Sequence, residues 1–187
     1  MAASGNAVVD TLLCMLDQGY DTKAWHGPHV RASIRGVDTR EATWRPQPRR
    51  KNVAEQVLHV AYWKYVVRRK LRGDKRGSFP LKGTNWFPVS PRLSDSRWEE
   101  YLQILTDQHA ALRATVAELA DNGRGPVPGD RVHLISGVAA HDVYHAGQIR
   151  LLRSMYGSRR ARAAWSFRPT LDTARPAARV QHGSRRR

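Results

Sequence analysis

Apolar side chains recur along this chain three and four residues apart, which places them on one face of an α-helix. The spacing predicts four helical segments, over residues 7–20, 52–72, 96–121 and 131–155. A continuation of the first segment to residue 35 is allowed, although Gly27 and Pro28 predict a kink or break near residues 25–26. The alternation that indicates a β-strand does not stand out, and no internal repeat is found. The pattern therefore predicts an all-α fold.

Local signals mark the ends of two of these segments. Asn52 with Glu55, and Ser96 with Glu99, have the spacing of a capping box, in which the side chain of each residue bonds the backbone N–H of the other. Gly73 follows the last apolar position of the second segment and is a typical helix stop. The second and third helices are therefore predicted to begin at residues 52 and 96.

The connection between the second and third segments, residues 73–95, is long and rich in Gly and Pro. A connection of this length can cross a helix bundle and leave the two helices parallel, whereas short connections join antiparallel neighbours. The sequence thus predicts a four-helix bundle of up-down-down-up topology, with a long crossover between helices 2 and 3.

Composition divides the chain into a bundle domain, residues 1–156, and a basic tail, residues 157–187. The tail carries nine arginines and one aspartate, which is half of the net charge of +16, together with two prolines. Because it has no sustained apolar period, we expect it to be disordered. Such a tail can contact nucleic acid weakly and non-specifically through phosphates, or it is simply a solvated extension. No motif of a sequence-specific reader is present.

The single cysteine, Cys14, cannot form an internal disulfide, which is typical of a reducing cytosol. It also excludes a zinc site built from several cysteines. The N-terminus lacks the pattern of a signal peptide, and no apolar run approaches the ~20 residues of a membrane span. We therefore expect a soluble, cytoplasmic protein without a membrane partner.

The most informative feature is a pair of histidines, His141 and His145, in the fourth segment. Residues four apart lie one above the other on a helix, so their imidazoles can bind one metal ion. Both continue an apolar stripe that includes Leu134, Val138 and Leu152, and so replace core side chains. Buried imidazoles need partners for their ring nitrogens, and a shared cation supplies one. The pair therefore predicts a divalent metal site.

A third ligand is needed, and His59 on the second segment is the best candidate. At 1.5 Å per residue it lies ~10 Å from the start of its helix, and His145 lies ~14 Å from the end of its own. In the predicted topology these two helices are antiparallel, so the three imidazoles can meet at one depth. The alternative is a core histidine bonded to a hydroxyl or carbonyl. The protease motif HExxH is not matched, because residue 142 is aspartate.

The remaining histidines have other expected roles. His109 lies in the apolar stripe of the third segment. It is interpreted as a core histidine with satisfied hydrogen bonds or as a residue that contacts a metal ligand; the competing interpretation is that it binds the metal itself. His26 and His29, beside the predicted helix break, could line the mouth of a pocket. His133 lies near a helix start and is expected to be exposed.

Residues beside the histidines are candidates for the walls of the site. Tyr62, Trp63, Tyr144 and Gln148 are pocket walls or hydrogen-bond donors, with ordinary core packing as the alternative. Asp142 is ~100° from His141 around the helix, so it could orient an imidazole on a neighbouring element or be a surface aspartate.

Three stretches of the chain resemble the DinB/YfiT-like superfamily. They are HVAYWKYVVRR at 59–69, NWFP at 85–88 and AHDVYHAGQI at 140–149. The resemblance covers residues 7–155 and omits the tail. It implies an up-down-down-up four-helix bundle, often a homodimer, with a three-histidine site that holds zinc or nickel.

In that family the ligand on the second helix corresponds to His59, and the HxxxH pair corresponds to His141 and His145. Some relatives are transferases or isomerases that depend on bacillithiol, mycothiol or glutathione, and many have no assigned activity. The resemblance therefore implies fold and metal more directly than reaction.

Three protein ligands leave coordination positions open, as in catalytic sites. Such a site can lower the pKa of bound water to ~7 or hold a thiol as its thiolate. The sequence predicts a metal-dependent thiol S-transferase or related hydrolase acting on a small-molecule substrate, with Zn or Ni and a possible low-molecular-weight thiol as cofactors. The alternatives are a non-catalytic metal- or ligand-binding bundle and a nucleic-acid-associated protein acting through the tail.

Overall fold

The computed structural model of the chain describes residues 6–77, 79–121 and 126–166, and helices dominate these ranges. Six α-helices are present there: α1 (Ala7–Tyr20), α2 (Val30–Ile34), α3 (Thr39–Thr43), α4 (Val53–Arg72), α5 (Asp95–Asp121) and α6 (Gly129–Ser166). The predicted all-α class is confirmed. The four predicted segments correspond to α1, α4, α5 and α6.

Helix α4 begins and ends where the sequence predicts. The Asn52 side chain accepts a hydrogen bond from the Glu55 backbone N–H (2.8 Å), and the Glu55 carboxylate accepts one from the Asn52 N–H (3.3 Å). At the other end Gly73 adopts φ 75°, a left-handed conformation that glycine tolerates without strain. The cap fixes the height of His59, which lies in the second turn of the helix.

Helix α5 begins one residue earlier than predicted, and its predicted cap is wrong. The hydroxyl of Ser94 accepts the backbone N–H of Arg97 (3.3 Å), and the carbonyl of Ser94 accepts that of Trp98 (3.0 Å). Ser94 is therefore the capping residue, and Ser96 lies inside the first turn. The motif identified the region of the helix start but not its register.

The allowed continuation of the first helix to residue 35 is wrong. Helix α1 ends at Tyr20, and α2 is a separate short helix that follows residues 21–29. Gly27 has φ 103°, which L side chains rarely adopt, and Pro28 has no N–H to donate, so a helix cannot pass through this pair. Helix α3 was not predicted, because five residues are too few to show a helical period.

Helix α6 is longer than predicted and runs to Ser166 rather than ending near residue 155. Residues 157–166 are rich in Ala and Arg, which are both strong helix formers, so their charge does not prevent a helix. The predicted boundary between residues 156 and 157 therefore falls inside α6. The rest of the predicted tail, residues 167–187, lies outside the described residues.

The buried apolar side chains form two clusters. One includes Val60, Leu105 and Ala146, and the other includes Val67 and Leu112. Lys64 on α4, His109 on α5 and Asp142 on α6 lie between the two clusters, and all three are buried. A polar layer thus crosses the core at mid-height.

The long helices pack as α4 with α5, α4 with α6, α1 with α5 and α1 with α6. The segment between α4 and α5 packs on α4 through Phe87, which is buried beside Tyr62 with 5.6 Å between ring centroids. This places the preceding residues, Asn85 and Trp86, beside His59. Within the described ranges, none of the helices has the length and apolar character that a bilayer crossing requires.

Candidate metal centre

Three imidazoles from two helices meet at one point. His59 comes from α4, and His141 and His145 come from α6. The Nε2 atom of His141 lies 3.1 Å from Nε2 of His59 and 3.0 Å from Nε2 of His145. One nitrogen from each ring lies within 4.8 Å of the others. The structure therefore brings together the three side chains that the sequence singled out.

The antiparallel packing of α4 and α6 produces this meeting. The Gln56 amide bonds the Gln148 amide oxygen (2.8 Å), whereas Lys64, further along α4, bonds Asp142, which is earlier on α6. Residue numbers therefore rise along one helix as they fall along the other. His59 lies between these two contacts and faces the turn that carries the histidine pair.

Hydrogen bonds at Nδ1 fix how two of the rings present their other nitrogen. His59 Nδ1 donates to the carbonyl of Asn85 (2.8 Å), and His145 Nδ1 donates to the side-chain oxygen of Gln56. Gln56 is itself held by its bond to Gln148. Because Nδ1 carries the proton in both rings, their Nε2 atoms present lone pairs to the centre of the cluster.

Burial keeps all three rings neutral. Burial and, after it, the neighbouring imidazoles lower the pKa of His141 to about 4 and that of His145 to about 3. Burial also lowers the pKa of His59, although its bond to Asn85 acts in the opposite direction. At neutral pH the lone pairs are therefore free to bind a cation.

The protons of the three rings do not satisfy the hydrogen-bonding capacity of all their nitrogens. His141 can carry one proton, but its Nε2 faces two lone pairs, and its buried Nδ1 has no hydrogen-bond partner among the described residues. A divalent ion bound by the three Nε2 atoms resolves the conflict. Tetrahedral zinc, with Zn–N of ~2.0–2.1 Å, separates its nitrogens by about 3.3 Å, close to the two spacings observed here. The donor set fits such an ion, and the ligand assignment stays a prediction.

The cluster opens into a cavity of about 360 Å³. Its walls include Trp63, Tyr144 and Gln148, which the sequence proposed as walls, and also Asn85 and Trp86, which it did not. Tyr62, the fourth proposed wall, lies elsewhere, against Phe87 and Phe79. The walls missed by the sequence analysis come from the crossover, whose position depends on the packing of Phe87.

The stripe of α6 that is most deeply buried is not the one predicted from the sequence, but the stripe one residue further along the chain. The most deeply buried positions are Ile135, Ala139, Asp142, Ala146 and Ile149. His145 is buried and His141 is half-buried, so the pair lies at the rim of the core and borders the cavity. This edge position gives the histidines both a low-dielectric environment and an open side toward the cavity.

Asp142 is fully buried, so its interpretation as a surface residue is wrong, and its partner is Lys64 rather than an imidazole. Burial raises the pKa of the Asp142 carboxyl, and the adjacent Lys64 opposes that change. Sequence analysis missed Lys64, although a signal exists. The stripe Val53, Val57, Val60, Lys64, Val67 and Leu71 has the 4-3-4-3-4 spacing of a core face.

His109 is a satisfied core histidine and does not join the metal cluster. Its Nδ1 accepts a hydrogen bond from Lys64 Nζ (3.2 Å), and its ring stacks on Tyr20 with 3.7 Å between centroids. Burial, followed by the charge of Lys64, lowers the pKa of His109 to about 2. The ring is therefore neutral and acts as an acceptor for the buried lysine.

Among the described residues, His26, His29 and His133 do not belong to the cluster. His133 is exposed, as predicted, and His26 is also exposed. His29 caps α2 through the backbone N–H of Ala32 (3.1 Å), which explains its place beside the helix break. Neither His26 nor His29 borders the cavity at the metal cluster.

Comparison with known proteins identifies a family. Neither a curated protein nor a solved structure matches the chain. The family model of the DinB superfamily matches residues 25–149, about two thirds of the chain, and this range contains all three clustered histidines. The chain therefore belongs to the DinB superfamily.

Proposed function

We propose that this protein binds a divalent metal ion through Nε2 of His59, His141 and His145 and uses it to act on a small molecule. One observation carries the proposal. Three imidazole nitrogens converge within 4.8 Å, and two of them are oriented with lone pairs inward by hydrogen bonds at Nδ1. A purely structural role for the three rings leaves this convergence of acceptors unexplained.

The identity of the ion follows from the donor set. Imidazole nitrogens suit zinc, nickel and other late first-row metals, whereas magnesium and calcium prefer oxygen ligands. The cluster contains no carboxylate or thiolate among the described residues. We therefore propose zinc or nickel as the occupant.

The open cavity beside the cluster supports a reaction on a small molecule. When bound by three ligands, such an ion supplies Lewis acidity at its open coordination positions. The residues of the cavity would contact the substrate: Trp63 and Trp86 provide apolar walls, and Gln148 provides a polar contact. We propose transfer of a low-molecular-weight thiol to a small electrophile, or a related hydrolysis.

Elemental analysis of purified protein tests the metal part of the proposal. The wild type should contain about one zinc or nickel per chain, as expected for a three-ligand site, and His59→Gln and His145→Gln should lose most of it. His133→Gln is the matched control, because His133 is an exposed histidine on α6. Equal metal content in all four proteins would contradict the ligand assignment. Far-ultraviolet circular dichroism would show that the variants remain helical.

A thiol-consumption assay tests the reaction. Glutathione and bacillithiol are each incubated with 1-chloro-2,4-dinitrobenzene and the metal-loaded protein. Consumption should exceed the uncatalysed rate and disappear in His145→Gln but not in His133→Gln. Full metal content without consumption across several electrophiles would count against the transferase.

A non-catalytic metal-braced bundle is the second candidate. It is favoured by the fact that the ligands join α4 to α6, so a bound ion would tie two helices together. In that case chelation lowers the melting temperature strongly while no small molecule competes for the open positions. The two candidates are separated by adding azide or a small thiol to cobalt-substituted protein. Spectroscopy of that sample shows whether the added molecule binds the metal.

The topology is also a proposal. We propose that α1, α4, α5 and α6 form the up-down-down-up bundle. The α4–α6 contacts described above are antiparallel. Bonds of Asp17 to Arg113 (2.7 Å) and of Tyr20 to Thr106 (3.3 Å) likewise support antiparallel packing of α1 and α5. A homodimer, a cytoplasmic location and nucleic-acid contact through the basic tail, residues 157–187, remain predictions. Ultracentrifugation, cell fractionation and deletion of the tail respectively would test them.

A further inference from the structure

A second cavity, of about 610 Å³, adjoins the metal centre. The two cavities share Trp86 and Gln148 as lining residues. We call it the basic groove and define it by Arg49, Arg50, Lys51, Trp86, Leu151 and Met155. Its volume lies in the range of small-molecule sites, and neither the metal ligands nor the bundle core accounts for its composition.

One wall of the basic groove carries three consecutive cations, Arg49, Arg50 and Lys51. None of them takes part in an ion pair within the parts of the chain that the structure describes. The nearby carboxylate of Glu55 is already bonded at both oxygens by Arg45, at 2.7 Å each. The positive charge of this wall is therefore not compensated, and it attracts an anion.

Another part of the groove lining is apolar. Leu151 and Met155 lie four residues apart on α6 and are 62% and 42% exposed. They are two of the few large apolar side chains that the described chain leaves exposed. A cavity lined by exposed apolar side chains and by cations without ion-pair partners suits a ligand with an apolar body and an anionic group.

The Trp86 indole, together with Gln148, links the basic groove to the metal centre. Lys51 Nζ lies 4.9 Å from the centroid of the Trp86 ring, and the same ring stacks on His59 with 3.8 Å between centroids. Lys51, which lines the groove, and His59, which lines the cavity at the metal centre, therefore lie against the same indole. A ligand of modest length can reach both.

We propose that the basic groove binds the anionic end of an amphipathic small molecule, a carboxylate, sulfonate or phosphate on an aryl or alkyl body, and directs its other end to the histidine cluster. The direction of the second end rests on the proposed metal-dependent function. Binding in the groove does not, because none of the three histidines lines it.

Fluorescence titration with 8-anilinonaphthalene-1-sulfonate tests the binding, with octanoate and octanamide as competitors of equal length. Replacing Arg49, Arg50 and Lys51 together by Gln should weaken octanoate displacement by about tenfold, since partly exposed ion pairs contribute up to ~1 kcal/mol each. Octanamide should displace weakly and equally from both proteins. The octanoate effect should shrink as salt is raised from 0.05 to 0.5 M, because added ions screen exposed charges.

A matched control removes the same charge elsewhere. Replacing Lys75, Arg92 and Arg159 by Gln changes three exposed cations that do not line the groove. This variant should bind octanoate within about twofold of the wild type. An equal loss in both triple variants would show that net charge, rather than the groove, attracts the anion, and would overturn the proposal. Leu151→Gln should weaken the binding of both octanoate and octanamide. Unchanged binding of both in this variant would overturn the proposed apolar contact with the body of the ligand.

Two further arms separate this proposal from its alternatives. His145→Gln should retain octanoate binding, so failure of the metal site leaves the groove measurable, and loss of binding there would contradict an independent groove. Vesicles of anionic phospholipid should bind the wild type and the groove variant alike. If the groove variant lost vesicle binding but kept octanoate displacement, a lipid surface rather than a small molecule would be the ligand and the proposal would fail.

Discussion

The indole of Trp86 lies parallel to the imidazole of His59, with 3.8 Å between ring centroids and 5° between ring planes. The preceding residue, Asn85, accepts the His59 Nδ1–H on its carbonyl and the Trp63 indole N–H on its side chain (3.1 Å). Asn85 reaches this position with φ 64°, a left-handed conformation that Asn tolerates better than most residues. The crossover between α4 and α5 is thus part of the site and not only a connection.

Replacement of Trp86 by Leu should weaken metal binding. Without the stacked indole the His59 ring is free to turn about its χ angles, and the dissociation constant for zinc should rise by about tenfold, as for other groups that orient metal ligands. Competition with a chromophoric chelator measures it. Trp25→Leu is the control, because Trp25 is fully exposed. Equal constants for both variants would show that the stack does not position His59.

Replacement of Gln56 by Leu should have a similar effect through His145. Gln56 accepts the His145 Nδ1–H and is itself held by Gln148. Its loss frees the ring and its tautomer, so zinc affinity should fall by roughly 10–100-fold with little change in helicity. Gln103→Leu, at an exposed position on α5, should leave the affinity unchanged. Retention of full affinity in Gln56→Leu would contradict the orienting role.

The buried pair of Lys64 and Asp142 predicts a large cost for removing one partner. Lys64→Met leaves the Asp142 carboxyl without a cation at full burial, and the free energy of unfolding should fall by about 3–5 kcal/mol. The double variant Lys64→Met/Asp142→Leu should recover much of this loss, because it removes both charges. Urea unfolding measures the series.

The exposed pair of Arg97 and Glu100 is the comparison for that series. Arg97→Met should change stability little, since solvent screens exposed ion pairs. The loss of unfolding free energy in the double variant is compared with the sum of the losses in Lys64→Met and Asp142→Leu alone. If the two were equal, the two charges would not be coupled and the interpretation of the polar layer would be wrong.

The metal-free protein should lose stability as the pH falls from 7 to about 4. The pKa values of His109, His141 and His145 are lowered to about 2, 4 and 3, and that of His59 is also lowered. Below pH ~6.5 the unfolded chain therefore binds protons on these rings that the native state does not, which favours unfolding. The raised pKa of Asp142 acts in the opposite sense, but only at one group.

Urea midpoints measured in chelator at several pH values test this expectation. The midpoint should fall between pH 7 and 4. His109→Gln should give a shallower fall, whatever its stability at pH 7, because one of the four rings is gone. A midpoint that stays constant or rises over this range would show that the rings are not held neutral.

The sequence by itself determined the four long helices and singled out the three histidines, because both are local or nearly local features. Apolar residues at three- and four-residue spacing indicate a helix whatever that helix packs against. Asn52 and Gly73 mark the two ends of α4. The HxxxH pair is fixed by the geometry of one helix. Its meeting with His59 needed only the antiparallel arrangement of two helices of known extent. The sequence also contained the Lys64 stripe, although a lysine in a core position is unusual enough to be overlooked.

The tertiary structure alone decided which face of α6 is most deeply buried and what surrounds the imidazoles. Adjacent stripes on a helix differ by about 100°, and Gly19, whose Cβ position would lie 3.0 Å from the Ala139 carbonyl, brings α1 onto the Asp142 side rather than the histidine side. Asn85 and Trp86 reach His59 across 26 and 27 positions of sequence through a segment without periodicity. Such contacts depend on packing over long separations, and no local pattern encodes them.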